Sequence, residues 1–199
     1  MSRPLQLEFV TSAAKHGQLG ESVSELAIAG RSNVGKSSLI NALANRNSLA
    51  KTSKTPGATR LLNVYELAPK GSGRWLVDLP GFGYAKASKS EQDRWARMID
   101  EYLTNRKQLG AVLLLVDGLI GPTDLDLQSL EWFEHIELPV TIIATKHDKV
   151  KPSKRATRKK ELAERCGVEP GEVRWVSAAK GTGIPELRSE IREYLLEDG

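Results

Sequence analysis

The sequence predicts an α/β fold in which a mostly parallel, six-stranded sheet carries helices on both faces. Apolar runs suited to buried strands alternate with segments of helical character, and this alternation favours a parallel sheet. One pair of strands breaks the alternation because only residues 69–73, Pro-Lys-Gly-Ser-Gly, separate them. That link has room only for a hairpin. The first strand of the pair is therefore expected to be an antiparallel edge strand.

The elements follow from these patterns in chain order. Strands are expected at 24–29, 61–68, 74–78, 111–117, 139–145 and 173–176. Helices are expected at 36–45, 123–136, 153–165 and 184–196, with a loop and a helix within 79–108 and a loop at 46–60. Residues 1–23 carry no strong period, so we assign them to an N-terminal extension packed on or preceding a domain at 24–199. A chain of 199 residues with 40% apolar residues suits one domain with a packed core.

A phosphate-binding motif lies between the first predicted strand and the first helix. Residues 30–37, Gly-Arg-Ser-Asn-Val-Gly-Lys-Ser, match G-x-x-x-x-G-K-[ST] in the context that this motif requires. Glycines let backbone N–H groups close around phosphates, and a helix N-terminus faces their charge. Lys36 is expected to reach the β- and γ-phosphates, and the Ser37 hydroxyl to ligate Mg²⁺. The alternative is a glycine-rich turn that binds nothing.

The purine is predicted to be guanine. Residues 145–148, Thr-Lys-His-Asp, follow a buried strand at the sheet edge where ligands of such folds bind. Asp148 there can accept hydrogen bonds from guanine N1–H and the 2-amino group, which adenine cannot offer. Ser177 and Ala178 end a later strand, where the Ala178 N–H could bind guanine O6. An ATP-dependent kinase using the same phosphate loop is disfavoured by this motif.

Two further segments are candidates for sensing the γ-phosphate. Residues 78–81, Asp-Leu-Pro-Gly, end a strand, so that Asp78 would hold Mg²⁺ through water and the Gly81 N–H would contact the phosphate. Such contacts order a loop with the triphosphate and release it after hydrolysis. Thr59, in the loop before strand 61–68, is the candidate second hydroxyl on Mg²⁺. Its alternative is an ordinary threonine that enters a strand.

Together these motifs resemble the TrmE-Era-EngA-EngB-septin group of P-loop GTPases. Residues 78–86, Asp-Leu-Pro-Gly-Phe-Gly-Tyr-Ala-Lys, and residues 51–57, Lys-Thr-Ser-Lys-Thr-Pro-Gly, resemble most closely the EngB (YihA/YsxC) family of ribosome-biogenesis GTP-binding proteins. The resemblance implies a single Ras-like G domain, Mg²⁺-dependent GTP binding with slow hydrolysis to GDP, and association with the large ribosomal subunit or its rRNA. It also implies a role in cell division and septation.

The motifs and the resemblance give a set of expected site residues. Catalysis is assigned to Lys36, Thr59 and Asn33, and the metal ligands are Ser37, Thr59 and Asp78. Nucleotide contacts are expected from Gly30, Arg31, Ser32, Asn33, Val34, Gly35, Lys36, Ser37, Gly57, Ala58, Thr59, Asp78, Leu79, Pro80, Gly81, Thr145, Lys146, Asp148, Val176, Ser177 and Ala178.

The water-orienting glutamine that follows D-x-x-G in many small GTPases is replaced here by Phe82, which cannot orient water. Asn33 is a candidate for charge stabilisation, because relatives in this group use an asparagine at that place to help ligate a potassium ion. The alternative, that Asn33 only stabilises the loop turn, is slightly favoured by the sequence. K⁺ is therefore a hypothesis beside Mg²⁺.

Composition bears on localisation. No apolar run approaches the ~18 residues of a membrane span, and the first residues lack a signal-peptide core. The single cysteine, Cys166, fits a reducing cytosol. We expect a cytoplasmic monomer without a membrane span.

The charge is unevenly distributed. The net charge is +4, and basic residues crowd one segment: Lys146, Lys149, Lys151, Lys154, Arg155, Arg158, Lys159 and Lys160. Such a cluster is either an rRNA footprint or a solvated helix face, and the resemblance favours rRNA. A second basic and aromatic region flanks Gly81 and could contact RNA in one nucleotide state: Tyr84, Lys86, Lys89, Arg94, Trp95 and Arg97. The alternative is a GTPase switch whose partner is a cell-division protein.

Overall fold

The fold is described from a computed structural model, which describes residues 3–51, 61–82 and 89–197. Its strands are β1 Leu7–Ala13, β2 Ser24–Gly30, β3 Leu62–Leu67, β4 Arg74–Asp78, β5 Leu109–Asp117, β6 Val140–Thr145 and β7 Arg174–Trp175. Its helices are α1 Lys36–Ala44, α2 Lys89–Asn105, α3 Asp124–His135, α4 Arg155–Cys166 and α5 Ile184–Glu197.

The strands form one sheet in the order β1-β3-β4-β2-β5-β6-β7. Pairing is parallel from β4 through β2, β5 and β6 to β7, and antiparallel for β3 with β4 and β1 with β3. The predicted α/β class and the predicted hairpin are confirmed.

The predicted count of six strands and the edge position of strand 61–68 are wrong, because β1 pairs along the outer side of β3. β1 lies within residues 1–23, whose structure the sequence left open. The exposure of β1 explains why its sequence did not predict a strand. Only Leu7 and Ala13 of the strand are buried, and its register with β3 shifts between Phe9 and Thr11. An exposed edge strand with a bulge carries neither an apolar run nor a regular alternation.

Helices cover both faces of the sheet, and alternate residues of the central strands point to opposite sides. On one face, Ala27, Val77 and Leu114 belong to a core that includes α2, α3 and α4 side chains such as Tyr102 and Phe133. On the other, Leu26, Ile28 and Leu115 pack in a core with side chains of α1 and α5. The parallel pairing of β2 with β5 and of β5 with β6 places the carboxyl ends of these strands next to one another, at the edge where the predicted site lies.

Candidate nucleotide-binding site

The phosphate loop joins the end of β2 to the start of α1. Gly30 has φ +151°, and a Cβ there would lie 2.9 Å from the Leu115 carbonyl oxygen. Gly35, at φ +115°, is the N-cap residue of α1 and directly precedes Lys36. It has no side chain that could accept a hydrogen bond from the first amides of the helix. The amides that begin α1 therefore keep donors for a phosphate, in the arrangement that helix N-termini offer to anions.

Lys36 and Asp78 lie in the interior beneath this loop. Their exposed fractions are 8% and 1%. Burial lowers the pKa of Lys36, an effect that Asp78 opposes. Burial raises the pKa of Asp78 to about 6, against the opposing effects of Lys36 and a hydrogen bond from Asn63. The two groups thus stabilise each other's charged form in a site that otherwise disfavours charge.

The Asp78 carboxylate fits a role near Mg²⁺. Its Oδ1 atom is buried without a hydrogen-bond partner among the described residues. A buried carboxylate oxygen of this kind needs a cation, a bound water or a proton. Ser37 is half-buried at the second position of α1. Ser37 and Asp78 therefore fit the predicted metal site, while Thr59, Gly57 and Ala58 lie outside the described residues.

The D-x-x-G segment lies against the phosphate loop. The Ser32 N–H donates to the Phe82 carbonyl at 3.0 Å, and Arg31 and Phe82 form an isolated parallel bridge. A Cβ on Gly81 would lie 3.0 Å from the Ser32 nitrogen, so the close approach favours glycine here. Leu79 and Pro80 are buried behind this contact. The structure thus brings together two predicted segments that are far apart in sequence.

The predicted base-reading residues also converge. Ser177, which is fully buried, donates from its hydroxyl to Asp148 Oδ1 at 2.6 Å. This hydrogen bond is the main reason why the pKa of Asp148 is lowered, so the carboxylate is kept as an acceptor. The backbone joins the two motifs as well, since the His147 N–H donates to the Val176 carbonyl at 3.1 Å. Ala178, half-buried, follows Ser177 directly.

Lys146 is held by a residue that sequence reasoning missed. Its Nζ lies 2.6 Å from Oδ2 of Asp117, which ends β5 and is 6% exposed. The other oxygen of Asp117 accepts the N–H of Leu119 at 2.9 Å. The sequence did contain a signal for this role of Asp117, because the aspartate ends a predicted strand and is followed directly by Gly118. A Cβ on that glycine would lie only 2.5 Å from the Thr145 carbonyl oxygen.

Arg31 connects the phosphate loop to α3, which the sequence also did not indicate. Its Nε lies 3.2 Å from Oδ2 of Asp126, a carboxylate with a side-chain exposure of 0%. The same oxygen accepts the N–H and the hydroxyl of Thr123 at 2.8 Å each. The first turn of α3 and the phosphate loop thus share one buried carboxylate.

The second basic region differs from the expectation. Trp95 is 8% exposed and belongs to the core, so this part of the expectation is wrong: the indole is not a surface for stacking bases. Arg94 and Arg97 are exposed and line a surface cavity with Lys15 and Glu101, so RNA contact by these arginines stays a prediction. Tyr84 and Lys86 lie outside the described residues. The side chain of Lys89 is not among those described. The sequence did carry a signal for this burial, because Trp95, Met98 and Tyr102 recur at helical spacing and all three are buried.

No helix in the described part of the chain combines the length and the apolar character needed to span a bilayer.

The sheet, the phosphate loop and the base-reading residues together define a P-loop GTPase. A family model described as "50S ribosome-binding GTPase" matches residues 25–146. "Probable GTP-binding protein EngB" of Pelotomaculum thermopropionicum is 51% identical over 190 residues, 94% of each chain. Its counterpart in Thermotoga maritima is 48% identical over 176 residues, 87% of this chain and 88% of the relative. The chain belongs to the EngB family of GTP-binding proteins.

Solved structures agree with this assignment. The crystal structure of a probable GTP-binding protein engB superimposes with a TM-score of 0.69 and 29% identity, covering 87% of this chain and all of that one. A second structure, Era in complex with MgGDPNP and a segment of 16S ribosomal RNA, has a TM-score of 0.69 and 26% identity, covering 88% of this chain and 57% of that one.

Proposed function

We propose that this GTPase is a nucleotide-switched assembly factor for the large ribosomal subunit, acting as a cytoplasmic monomer and needed for normal cell division. The observation that carries the proposal is a row of exposed lysines directly after the guanine-reading motif. Its link to cell division and septation follows from the family resemblance alone.

The lysine row consists of Lys149, Lys151, Lys154 and Lys160, all exposed. The first three line a surface cleft of about 490 Å³ together with Thr157, Arg158 and one acidic residue, Glu161. Exposed lysines that flank a cleft offer mobile ammonium groups to a phosphate backbone, and most of the affinity of proteins for nucleic acids has this origin. The row therefore suits rRNA as the polyanion.

The remaining basic residues of the segment are engaged within the fold. Arg155 donates to the Val150 carbonyl at 3.2 Å, and Arg158 pairs with Glu161 at 3.2 Å. The Lys159 ammonium lies 5.9 Å from the Trp175 ring centroid. Lys146 is bound to Asp117. The RNA footprint is thus smaller than the basic cluster in the sequence.

The relatives support the same partner class. The matching family is described as 50S ribosome-binding, and Era, a structural neighbour, was solved with a ribosomal RNA segment. Both statements concern those proteins. The Era complex contains 16S rRNA, which belongs to the small subunit, so it supports only rRNA as the class of partner. The family description makes the large subunit the first partner to test for this chain.

Hydrolysis is proposed to be slow without a partner. Phe82, which follows D-x-x-G, is partly buried and packs against the core, so it brings no polar group to a water molecule. Lys36 would contact the transferred phosphoryl oxygens, and Ser37, Thr59 and Asp78 would hold Mg²⁺, which neutralises charge on the β- and γ-phosphates when bound.

Asn33 is exposed and has φ +66°. Asparagine tolerates this left-handed conformation better than most residues, which is sufficient reason for its presence in the loop. Potassium ligation by Asn33 stays a hypothesis, to be checked by comparing GTP turnover in potassium and sodium buffers.

The test is co-sedimentation with purified large subunits. Lys151, Lys154 and Lys160 are changed together to glutamate; Lys149 is kept because its Nζ lies 3.8 Å from Asp148. The control variant changes Lys15, Lys70 and Lys107, which are exposed elsewhere, and has the same net charge. We expect the first variant to lose subunit binding with GTP affinity unchanged, and the control to retain most of it.

Salt and nucleotide provide the second readout. Wild-type association should weaken with salt with a slope of about −0.7 per phosphate neutralised in single-stranded regions, and the cluster variant should flatten this slope. A nonhydrolysable GTP analogue should strengthen binding relative to GDP. Association that ignores salt and nucleotide, or no association, would favour the cell-division protein as partner.

A further inference from the structure

An apolar groove lies between α2 and α3, beside the segment that follows Asp78. Its volume is about 250 Å³, and its walls include Phe82, Ile99, Leu103, Leu125 and Trp132. Leu125 and Trp132 are 43% and 39% exposed although both are large and apolar. They are seven residues apart on α3, so they share one face of the helix. An apolar surface of this kind, with a cavity between two helices, is typical of a protein interaction site.

Among the described residues, the charged side chains that line the groove or flank it on the exposed face of α3 are acidic. Asp100 is the charged side chain among the described residues that line it. Gln128, also in the lining, has the exposed residues Asp124 and Glu131 one turn before and after it on α3. The sequence of α3 contains neither lysine nor arginine. Such a rim repels phosphates and attracts cations, so the groove does not suit the RNA proposed for the lysine row.

Two walls of the groove are attached to the phosphate loop. Phe82 accepts the Ser32 N–H through its carbonyl, and α3 is connected through the Arg31–Asp126 contact. A change at the phosphate loop or at Gly81 therefore has a direct route to the groove. A ligand that binds the groove differently in two nucleotide states must in turn shift nucleotide affinity by the same factor.

We propose that the α2–α3 groove is a docking site for a basic segment of a partner protein. The segment places an apolar side chain between Phe82, Leu125 and Trp132. Its lysine or arginine residues lie against Asp100, Asp124 and Glu131. The bound nucleotide sets its affinity. This surface is separate from the lysine row, so the proposal does not depend on ribosome association.

The test uses defined peptides on the full-length protein loaded with GDP or with a nonhydrolysable GTP analogue. The probe is a fluorescent peptide with leucines at helical spacing and lysines at its other positions. One matched peptide replaces the lysines by glutamates, and another replaces the leucines by serines. Fluorescence anisotropy should show binding of the first peptide only, with at least a threefold difference in affinity between the two nucleotide states.

Variants locate the binding. Trp132→Ala should weaken it by about tenfold or more, as truncation of an aromatic interface residue does. Asp100→Lys and Glu131→Lys, both on the surface, should weaken it without a risk to folding. Leu196→Ala is the matched control, because Leu196 is 48% exposed on α5 and should have no effect.

Equal binding of the glutamate peptide, or full affinity in the Asp100→Lys and Glu131→Lys variants, overturns the proposal. Equal affinity in both nucleotide states overturns its nucleotide dependence. Displacement of the lysine–leucine peptide by single-stranded RNA in the wild type and in the lysine-row variant alike would assign the groove to RNA instead. Failure of the protein to sediment with large subunits affects none of these measurements.

Discussion

Thr145 donates a hydrogen bond from its hydroxyl to the carbonyl oxygen of Val34 at 2.7 Å, across 111 residues of sequence. Both residues are buried, and a second carbonyl, of Val116, lies 3.2 Å from the same hydroxyl. The first residue of the guanine-reading motif therefore supports the middle of the phosphate loop. This contact connects the two ends of the candidate nucleotide site.

Thr145→Val is expected to lower the free energy of unfolding by about 1–3 kcal/mol, because it leaves a buried carbonyl without a donor. GTP and GDP affinities should fall by the same factor, since the contact supports the phosphate loop and both nucleotides are expected to bind to this loop. Denaturant unfolding and titration calorimetry measure the two effects. Thr145→Ser keeps the hydroxyl and is the control; a full effect in that variant would contradict the hydrogen-bond explanation.

Asp148→Asn should weaken GTP binding by about 1.5–3 kcal/mol, the contribution of a charge-assisted hydrogen bond. It should improve binding of xanthosine triphosphate, because an amide can donate to the xanthine O2. Calorimetry with both nucleotides measures the exchange. Unchanged GTP affinity in the variant would mean that Asp148 does not read the base.

Asp78 should make the metal-free protein less stable as pH rises from about 4 to about 6. Burial raises the pKa of this carboxyl to about 6, above its unfolded value, so the folded state favours the protonated form. The contribution of Asp78 to the free energy of unfolding is fully present below the pKa of the unfolded state, and it is lost as pH rises through about 6. Asp78→Asn should remove that dependence and be more stable than wild type at neutral pH without Mg²⁺, by up to about 3 kcal/mol.

Mg²⁺ with GTP should reverse the order of the wild type and Asp78→Asn, because binding to the native state stabilises it and the amide is a poorer partner for the metal. Thermal unfolding across this pH range, with and without the ligands, compares the two proteins. Parallel pH profiles for both would show that Asp78 does not titrate there.

Thr59→Ala should weaken binding of a GTP analogue with Mg²⁺ and hardly change GDP affinity. The reason is that its loop is expected to be held only by the γ-phosphate and the metal. Fluorescent-nucleotide titration with both ligands checks this, with Thr59→Ser as the control that keeps the hydroxyl. Equal losses for both nucleotides would exclude a role as a switch.

Phe82→Ala is expected to retain GTP hydrolysis, because the phenyl ring cannot orient the attacking water. The wild type should hydrolyse slowly without a partner, and single-turnover assays on both proteins measure the rates. Loss of all hydrolysis in the variant would show that Phe82 contributes to the chemistry through the groove it lines or the loop it contacts.

Local patterns were enough to predict much of this molecule. The phosphate loop could be predicted because its glycines, Lys36 and Ser37 are consecutive and lie between a strand and a helix. The hairpin of β3 and β4 was predictable from the short link of residues 69–73. Asp148 and Ser177 could be named from their positions at strand ends, since parallel strands present these ends at the same edge.

The tertiary structure decided what depends on neighbours that are distant in sequence. β1 has no periodic pattern because it is an exposed edge strand, so only its pairing with β3 in the structure identified it as a strand. Asp117 became part of the site because β5 lies beside β6, which puts its carboxylate on Lys146. The folding of α4 left only some of its basic residues in solvent. The sequence alone was enough to predict which groups bind a guanine nucleotide, since that chemistry is local. Packing determined which charges remain available to partners, since burial is a property of the whole fold.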